Sequence, residues 1–212
     1  QDATHLFLLG DIFDFWFEYR DVVPRGYYRL FAKFAELRQR QITVYYFTGN
    51  HDMWVKDYFE KEFGFTIFRQ QQAFIINGKH CLVGHGDGLG PKDYGYKFIK
   101  ALFAFRPNIA FFGALHPRCA FSIARFFSAQ SRSMTSAQEE FFMGNDKEFL
   151  VRFALSVLEN EKIDYFIYGH RHLPLQIPLV EGAVYLNTGD WLTHDSYLKM
   201  ATPEPVLFNK IS

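Results

Sequence analysis

Four short stretches hold most of the side chains in this sequence that could bind a metal or move a proton. Gly10-Asp11-Ile12-Phe13-Asp14 supplies two carboxylates, and Gly49-Asn50-His51-Asp52 supplies an amide, an imidazole and a carboxylate. Gly84-His85-Gly86-Asp87 and Gly169-His170-Arg171-His172 supply three more imidazoles and another carboxylate. The imidazoles of His85, His170 and His172, the carboxylate of Asp11 and the amide oxygen of Asn50 suit divalent cations of intermediate hardness, such as Mn²⁺, Fe²⁺ or Zn²⁺. No thiolate is among them, which argues against a structural zinc site. A carboxylate can bridge two cations, and two cations held roughly 3.5–4 Å apart can clamp a phosphoryl group and supply a hydroxide. The residue types therefore support metal-dependent hydrolysis of a phosphate ester or anhydride. Taken singly, each stretch is ambiguous: Gly-Asp is a common turn, and Asp14 and Asp87 read equally well as caps. His5, His80, His116 and His194 fall outside the pattern. Recurrence is what singles the four stretches out, because each opens on a glycine placed directly after an apolar run.

Those apolar runs read as strands. Leu6–Leu9 is a short buried strand, and Ile42–Phe47 is rich in β-branched and aromatic residues. Phe74–His80 with Leu82 and Val83 forms two strand-like runs around Asn77-Gly78, a strong hairpin signal. Tyr165–Tyr168, Gln176–Val180, Val184–Leu186 and Val206–Phe208 read as further strands. Apolar residues at helical spacing predict helices over 26–40, over 54–63 with Gly64 as the stop, and from Phe149 to Leu158. Residues 92–143 lose strand character and read as several short helices. The order predicts a layered α/β fold, two sheets packed together with helices outside. Strands ending along one edge would bring the four stretches into one crevice.

The totals fit a single domain of 212 residues, with residues 92–143 as an insert. Lys and Arg number 23 and Asp and Glu 23, so overall charge gives no case for nucleic acid. The two cysteines match no zinc or redox spacing and fit a reducing compartment. No run reaches the roughly 18 apolar residues of a spanning helix.

Together, GDIFD, GNHD, GHGD and GHRH resemble the calcineurin-like metallophosphoesterases, whose motifs occur in this order, from Gly10 to Trp191. The resemblance implies an αββα sandwich and two divalent ions, Mn²⁺ by expectation. Asp11 would bridge them, Asn50, His85 and His170 would complete one site, and His172 would belong to the other. His51, oriented by Asp52, would protonate the leaving oxygen or stabilise charge on the phosphoryl group. The family's opening Asp-x-His is absent, so the first strand and its motif are expected to be missing and the second site incomplete. A non-catalytic interaction module on the same fold is the alternative that this departure keeps open.

Within that family, GHGDGLGPKDYGYK and YGHRHLP are similar to the UDP-2,3-diacylglucosamine diphosphatases of lipid A synthesis. That likeness implies cleavage of a nucleotide-linked lipid to UMP and 2,3-diacylglucosamine 1-phosphate, in the cytoplasm and peripheral to the inner membrane. It also implies a helical lid, with Asp93, Tyr96 and the insert's Arg132 as substrate contacts. Another phosphodiesterase or a nuclease is the alternative enzyme. Composition of the insert agrees with a lipid: residues 92–132 carry seven cations against the single acid Asp93, interleaved with phenylalanines. Such text suits phosphates beside fatty chains, or transient contact with an anionic membrane, better than nucleic acid. Most of those phenylalanines are expected to fasten the insert to the core.

Overall fold

The structure is a computed structural model that describes residues 3–90, 94–124, 142, 144 and 147–208, with the side chains of 94–96 outside the description. Strands β1 (His5–Leu8), β2 (Thr43–Phe47) and β3 (Thr66–Phe68) form a parallel sheet in that order. Helices α1 (Tyr28–Gln39) and α2 (Tyr58–Phe63) make the crossovers that parallel pairing requires. A second sheet takes the order β4 (Gln72–Ile76), β5 (Lys79–Val83), β6 (Tyr165–Tyr168), β8 (Val184–Thr188), β7 (Pro174–Pro178). Strands β9 (Tyr197–Lys199) and β10 (Val206–Phe208) pair with each other. Within the insert lie α3 (Tyr94–Ala104), α4 (Arg106–Ala114) and α5, helical over 117–124; α6 (Phe149–Leu158) returns the chain to the core.

Period-two alternation builds the layers. On β2, Val44 and Tyr46 face the helices and join Phe34 of α1 and Phe59 of α2 in one cluster. Their neighbours Tyr45 and Phe47 face the other way and meet Cys81, Val83, Ile167 and Leu186 of the second sheet. Beyond that sheet, Phe166, Tyr168 and Tyr185 pack on Leu150, Val151 and Ala154 of α6. The result is helix, sheet, sheet, helix, as the sequence predicts. Burying a ring of this size contributes about 1.5–3 kcal/mol each.

Several boundaries move for identifiable reasons. The helix predicted over 54–63 begins only at Tyr58, because the amides of Lys56, Asp57 and Tyr58 donate to the Glu18 carboxylate (2.8, 3.0 and 3.2 Å). Trp54 is drawn into a parallel bridge with Phe17 instead. Gly64, at φ 71°, ends α2 as expected. The strand predicted over 176–180 shifts to β7, an edge strand with a proline at each end, where a missing N–H costs little. Strands β3 and β9, three residues each, escape the sequence reading. The hairpin turn at Asn77-Gly78 has positive φ at both positions (50° and 78°), as its twist requires.

The insert also departs from expectation. Phe112 and Phe121 pack on Phe15, and Phe112 on Phe17 and Trp54 as well. Phe98, Phe105 and Phe111 are exposed instead, as in part is Phe103, which meets Trp54 only by its edge. Most of the insert's described phenylalanines therefore do not glue it to the core.

Candidate metal centre

Parallel pairing makes β1 and β2 end on the same edge, and likewise β5 and β6. The loops leaving those four ends carry the four Gly-led stretches. Close approach explains the glycines: a Cβ on Gly10 would collide with the His85 ring, and one on Gly49 with the Asp11 carboxylate. Gly169 would meet the Leu9 carbonyl at 3.0 Å. The two sheets thus touch through their glycine-led turns, and the side chains that follow converge.

His85 Nε2 stands at the middle. It lies 3.2 Å from Asp11 Oδ2, 3.2 Å from Asn50 Oδ1 and 3.1 Å from His170 Nδ1. Its other nitrogen, Nδ1, donates to the Leu9 carbonyl at 2.6 Å, which orients the ring. With that proton committed, the neutral ring turns a lone pair toward three other acceptor atoms. Four electron-rich atoms facing one another need a cation between them. Their separations fit the edges of a coordination shell, roughly 3.0–3.4 Å for bonds of about 2.1 Å. Asp11, His85 and His170 have donor atoms that all lie within 4.8 Å of one another. The residues present therefore fit a divalent cation.

The electrostatics of the four residues favour positive charge between them. Burial would depress His85, but the charge and hydrogen bond of Asp11 lift it to about 9. Burial would raise Asp11, but His85 and His51 hold it well below the usual carboxylate range. Burial, and then the charge of His85, push His170 down to about 3. One proton on His85 thus does what a cation would do better, since metal and proton compete for the same lone pairs.

The remaining residues are placed as follows. Asp11 sits at φ 53°, and its Oδ1 accepts from the His51 amide at 2.9 Å. His51 is half-buried, and its Nδ1 lies 3.0 Å from the Asp14 carbonyl oxygen. Here the structure corrects the sequence reading, because the Asp52 carboxylate does not hold the His51 ring. Asp52 is fully buried and accepts from the Ile12 amide (2.9 Å), the Gly49 amide (2.6 Å) and the Tyr46 hydroxyl (2.5 Å). It binds the two loops together instead. His172 is half-buried near His170 and lies outside the group of Asp11, His85 and His170. Asp87 is buried and pairs with Lys100 of α3 at 2.5 Å, while Lys97 donates to the Gly90 carbonyl at 3.0 Å. Trp54 Nε1 donates to the Phe103 carbonyl at 3.0 Å, so α3 is tied to two of the four loops. Asp93 and Arg132 lie outside the described residues, as does the Tyr96 side chain.

Four supporting residues were missed by sequence reasoning. Tyr46 pins Asp52, and Glu18 holds the start of α2. Glu148, just before α6, pairs with the buried Arg171 at 3.1 Å, which explains an arginine between the two histidines of GHRH. Asn187, fully buried on β8, donates to the carbonyls of Arg171 and Leu173 and so shapes the same loop. Only Asn187 left a signal, as a polar residue inside the apolar run Val184–Thr188.

No family model matches the chain. Relatives found by sequence include a UDP-2,3-diacylglucosamine hydrolase from Porphyromonas gingivalis, 33% identical over 93% of this chain and 80% of that protein. Proteins of the same name from Photorhabdus laumondii and Escherichia coli are 27% and 26% identical. They cover 93% and 99% of this chain and 82% and 86% of their own lengths. Among solved structures, a Thermotoga maritima protein is 15% identical with a TM-score of 0.39, covering 97% of each chain. Zinc-complexed Vps29 from Entamoeba histolytica is 13% identical with a TM-score of 0.36, covering 97% of this chain and 89% of its own. Structural likeness at that level supports no assignment.

Proposed function

The chain belongs to the UDP-2,3-diacylglucosamine hydrolases, and on that premise we propose that it cleaves the pyrophosphate of UDP-2,3-diacylglucosamine to UMP and 2,3-diacylglucosamine 1-phosphate. The observation that carries the reading is the convergence of Asp11, Asn50 and His170 on His85 Nε2. Those four residues would hold a divalent cation, which we take to be Mn²⁺. When bound, such a cation draws charge from a phosphoryl oxygen and makes hydroxide available near neutral pH. The other carboxylate oxygen of Asp11 and the ring of His172 would serve a second cation.

His51 is the proton carrier in this scheme. With Nδ1 donating to the Asp14 carbonyl, Nε2 would be the atom that meets the leaving group. As an imidazolium it donates to the leaving phosphate oxygen, or offsets charge there while keeping its proton. Asp52 supports this from behind by holding the Gly49 and Ile12 amides. We read the chain as one domain with residues 92–143 as its lid, and assign Asp93, Tyr96 and Arg132 to substrate contact. Among the described residues no helix is long and apolar enough to cross a membrane. The exposed phenylalanines of the insert support peripheral, transient docking on the cytoplasmic face of the inner membrane.

The test is hydrolysis of the nucleotide-linked lipid by the full-length protein with Mn²⁺, with products identified by mass. UMP should appear, and Asp11→Ala and His51→Ala should each lower kcat by about 100-fold or more. Cleavage of single-stranded DNA with no release of UMP would replace this reading with a nuclease. Unchanged rates in both variants would remove the mechanism.

A further inference from the structure

Glu148 and Arg171 are buried, 3% and 7% exposed, and Arg171 Nη2 donates to Glu148 Oε1 at 3.1 Å. Arg171 stands in the chain between His170 and His172, and Glu148 immediately precedes α6. Stability is a poor reason for such a pair. Taking two charges out of water costs about as much as their attraction returns, and apolar side chains of similar volume often do as well or better. Helix capping is no reason either. Glu148 holds the N-cap position of α6, but its side chain makes no bond to the free amides there. The carboxylate goes to Arg171 instead.

The turn that carries both histidines is also fastened through its backbone. The amides of Gly169 and His170 donate to the His85 carbonyl at 3.0 and 2.9 Å. Asn187 of β8 donates to the carbonyls of Arg171 and Leu173. Those bonds hold the turn to its own sheet, whereas the Arg171 side chain joins it to the helix layer behind. Phe149, next to Glu148, adds a contact from the same element. Its ring meets the His170 ring with centroids 6.0 Å apart and planes at 70°. The His85 ring meets His170 at 4.9 Å and 71°. Phe149 is itself seated against the loop that follows His85, since a Cβ on Gly90 would come within 2.9 Å of it. Consecutive residues 148 and 149 thus reach consecutive residues 171 and 170, and one of the latter is a proposed ligand. The pairing has an electrostatic side as well. Matched with Glu148, Arg171 brings no net charge beside a cation; unmatched, it would repel one.

We propose that Glu148 and Phe149, at the start of α6, are positioning residues of the metal centre: Glu148 acts through Arg171 and Phe149 through its ring edge, and together they set His170 against Asp11 and His85. The proposal rests on the reading that those residues hold a divalent cation. Its test is Mn²⁺ affinity of the full-length protein by calorimetry, beside melting in chelator. Glu148→Gln leaves Arg171 buried without its counter-charge and should weaken binding by about 10- to 100-fold. Glu148→Leu/Arg171→Met exchanges the pair for apolar side chains. It should melt close to wild type yet still bind Mn²⁺ about tenfold more weakly or worse. Recovery of affinity together with melting temperature would make the pair structural alone and overturn the proposal. Phe149→Leu keeps α6 apolar and should also weaken binding. Wild-type affinity in both Glu148→Gln and Phe149→Leu would likewise overturn it. A second readout needs no metal. The ring signal of His170 in proton–carbon NMR, recorded in chelator and identified by its loss in His170→Gln, should move in Glu148→Gln and in Phe149→Leu. The signal of exposed His80 should stay. An unmoved His170 signal in both variants would sink the positioning role whether or not metal binds. Wild type that takes up no Mn²⁺, with the His170 signal still moving in the variants, would sink the metal reading and leave the positioning role standing.

Discussion

Asp11 is a non-glycine residue in the left-handed region, a conformation that aspartate tolerates better than most at some cost in strain. What holds it there is not on its own loop. The His51 amide grips its carboxylate, and Asp52 grips the next amide in the chain, at Ile12. Asp52 is itself under load: burial and the charge of Asp11 raise it to about 6, while the Tyr46 hydroxyl and Gly49 amide pull it back. Tyr46→Phe removes one donor from this buried carboxylate without altering shape. It should lower the unfolding free energy by about 1–3 kcal/mol in urea titration. Because the loops that carry Asp11 and Asn50 share that carboxylate, Mn²⁺ affinity measured by calorimetry should fall about tenfold. Wild-type values for both would mean that the amides alone hold Asp52.

Loop brackets of the same kind recur at the scale of elements. Glu18 gathers the amides that start α2, and Arg38 of α1 donates to the Glu62 carbonyl at its end. After β8, Asp190 Oδ1 accepts from the amides of Leu192, Thr193 and His194 at 3.1, 2.7 and 3.0 Å. Burial would raise Asp190, but those three donors bring it below its ordinary value of 3.8. A carboxylate depressed by folding adds stability above its unfolded pKa, and loses it as pH falls through the folded value. Asp190→Ala should therefore cost about 1–2 kcal/mol at pH 7. The gap between variant and wild type should narrow as pH falls from 7 to below 3.8. Urea unfolding at both pH values checks this, and a gap that persists in acid would show that charge is not the cause. Elements with a repeating pattern were legible in advance. The stripe on α6 and the turn at Asn77-Gly78 needed only local geometry. The start of α2 did not, because the acceptor for its amides lies 38 residues or more earlier in the chain.

For the whole molecule, the proposed metal centre is where the two sheets are joined. The residues we propose as its ligands leave strands of both sheets, so a cation held there would tie β1 and β2 to β5 and β6 and bind the folded state alone. At a hundredfold excess over its dissociation constant such a ligand adds about 2.7 kcal/mol. For a chain of this size that corresponds to a rise in Tm of roughly 5–10 °C. Melting the protein in chelator and again with Mn²⁺ should show that rise, and Asp11→Asn should abolish it. Equal melting curves for wild type in the two conditions would deny the centre any bound cation.

The sequence by itself determined the layers and the donor types, since alternation and helical spacing are local and each Gly-led stretch declares its own chemistry. It also showed that four strand ends carry them. Only the tertiary structure decided that Asp52 holds Tyr46 and two amides rather than His51, and that Glu148 reaches Arg171. Those partners are separated along the chain by anything from a few residues to about forty, and nothing local encodes which distant atom will fill a buried acceptor. Packing of the two sheets sets those distances, and the polar groups then pair with whatever folding has placed within reach.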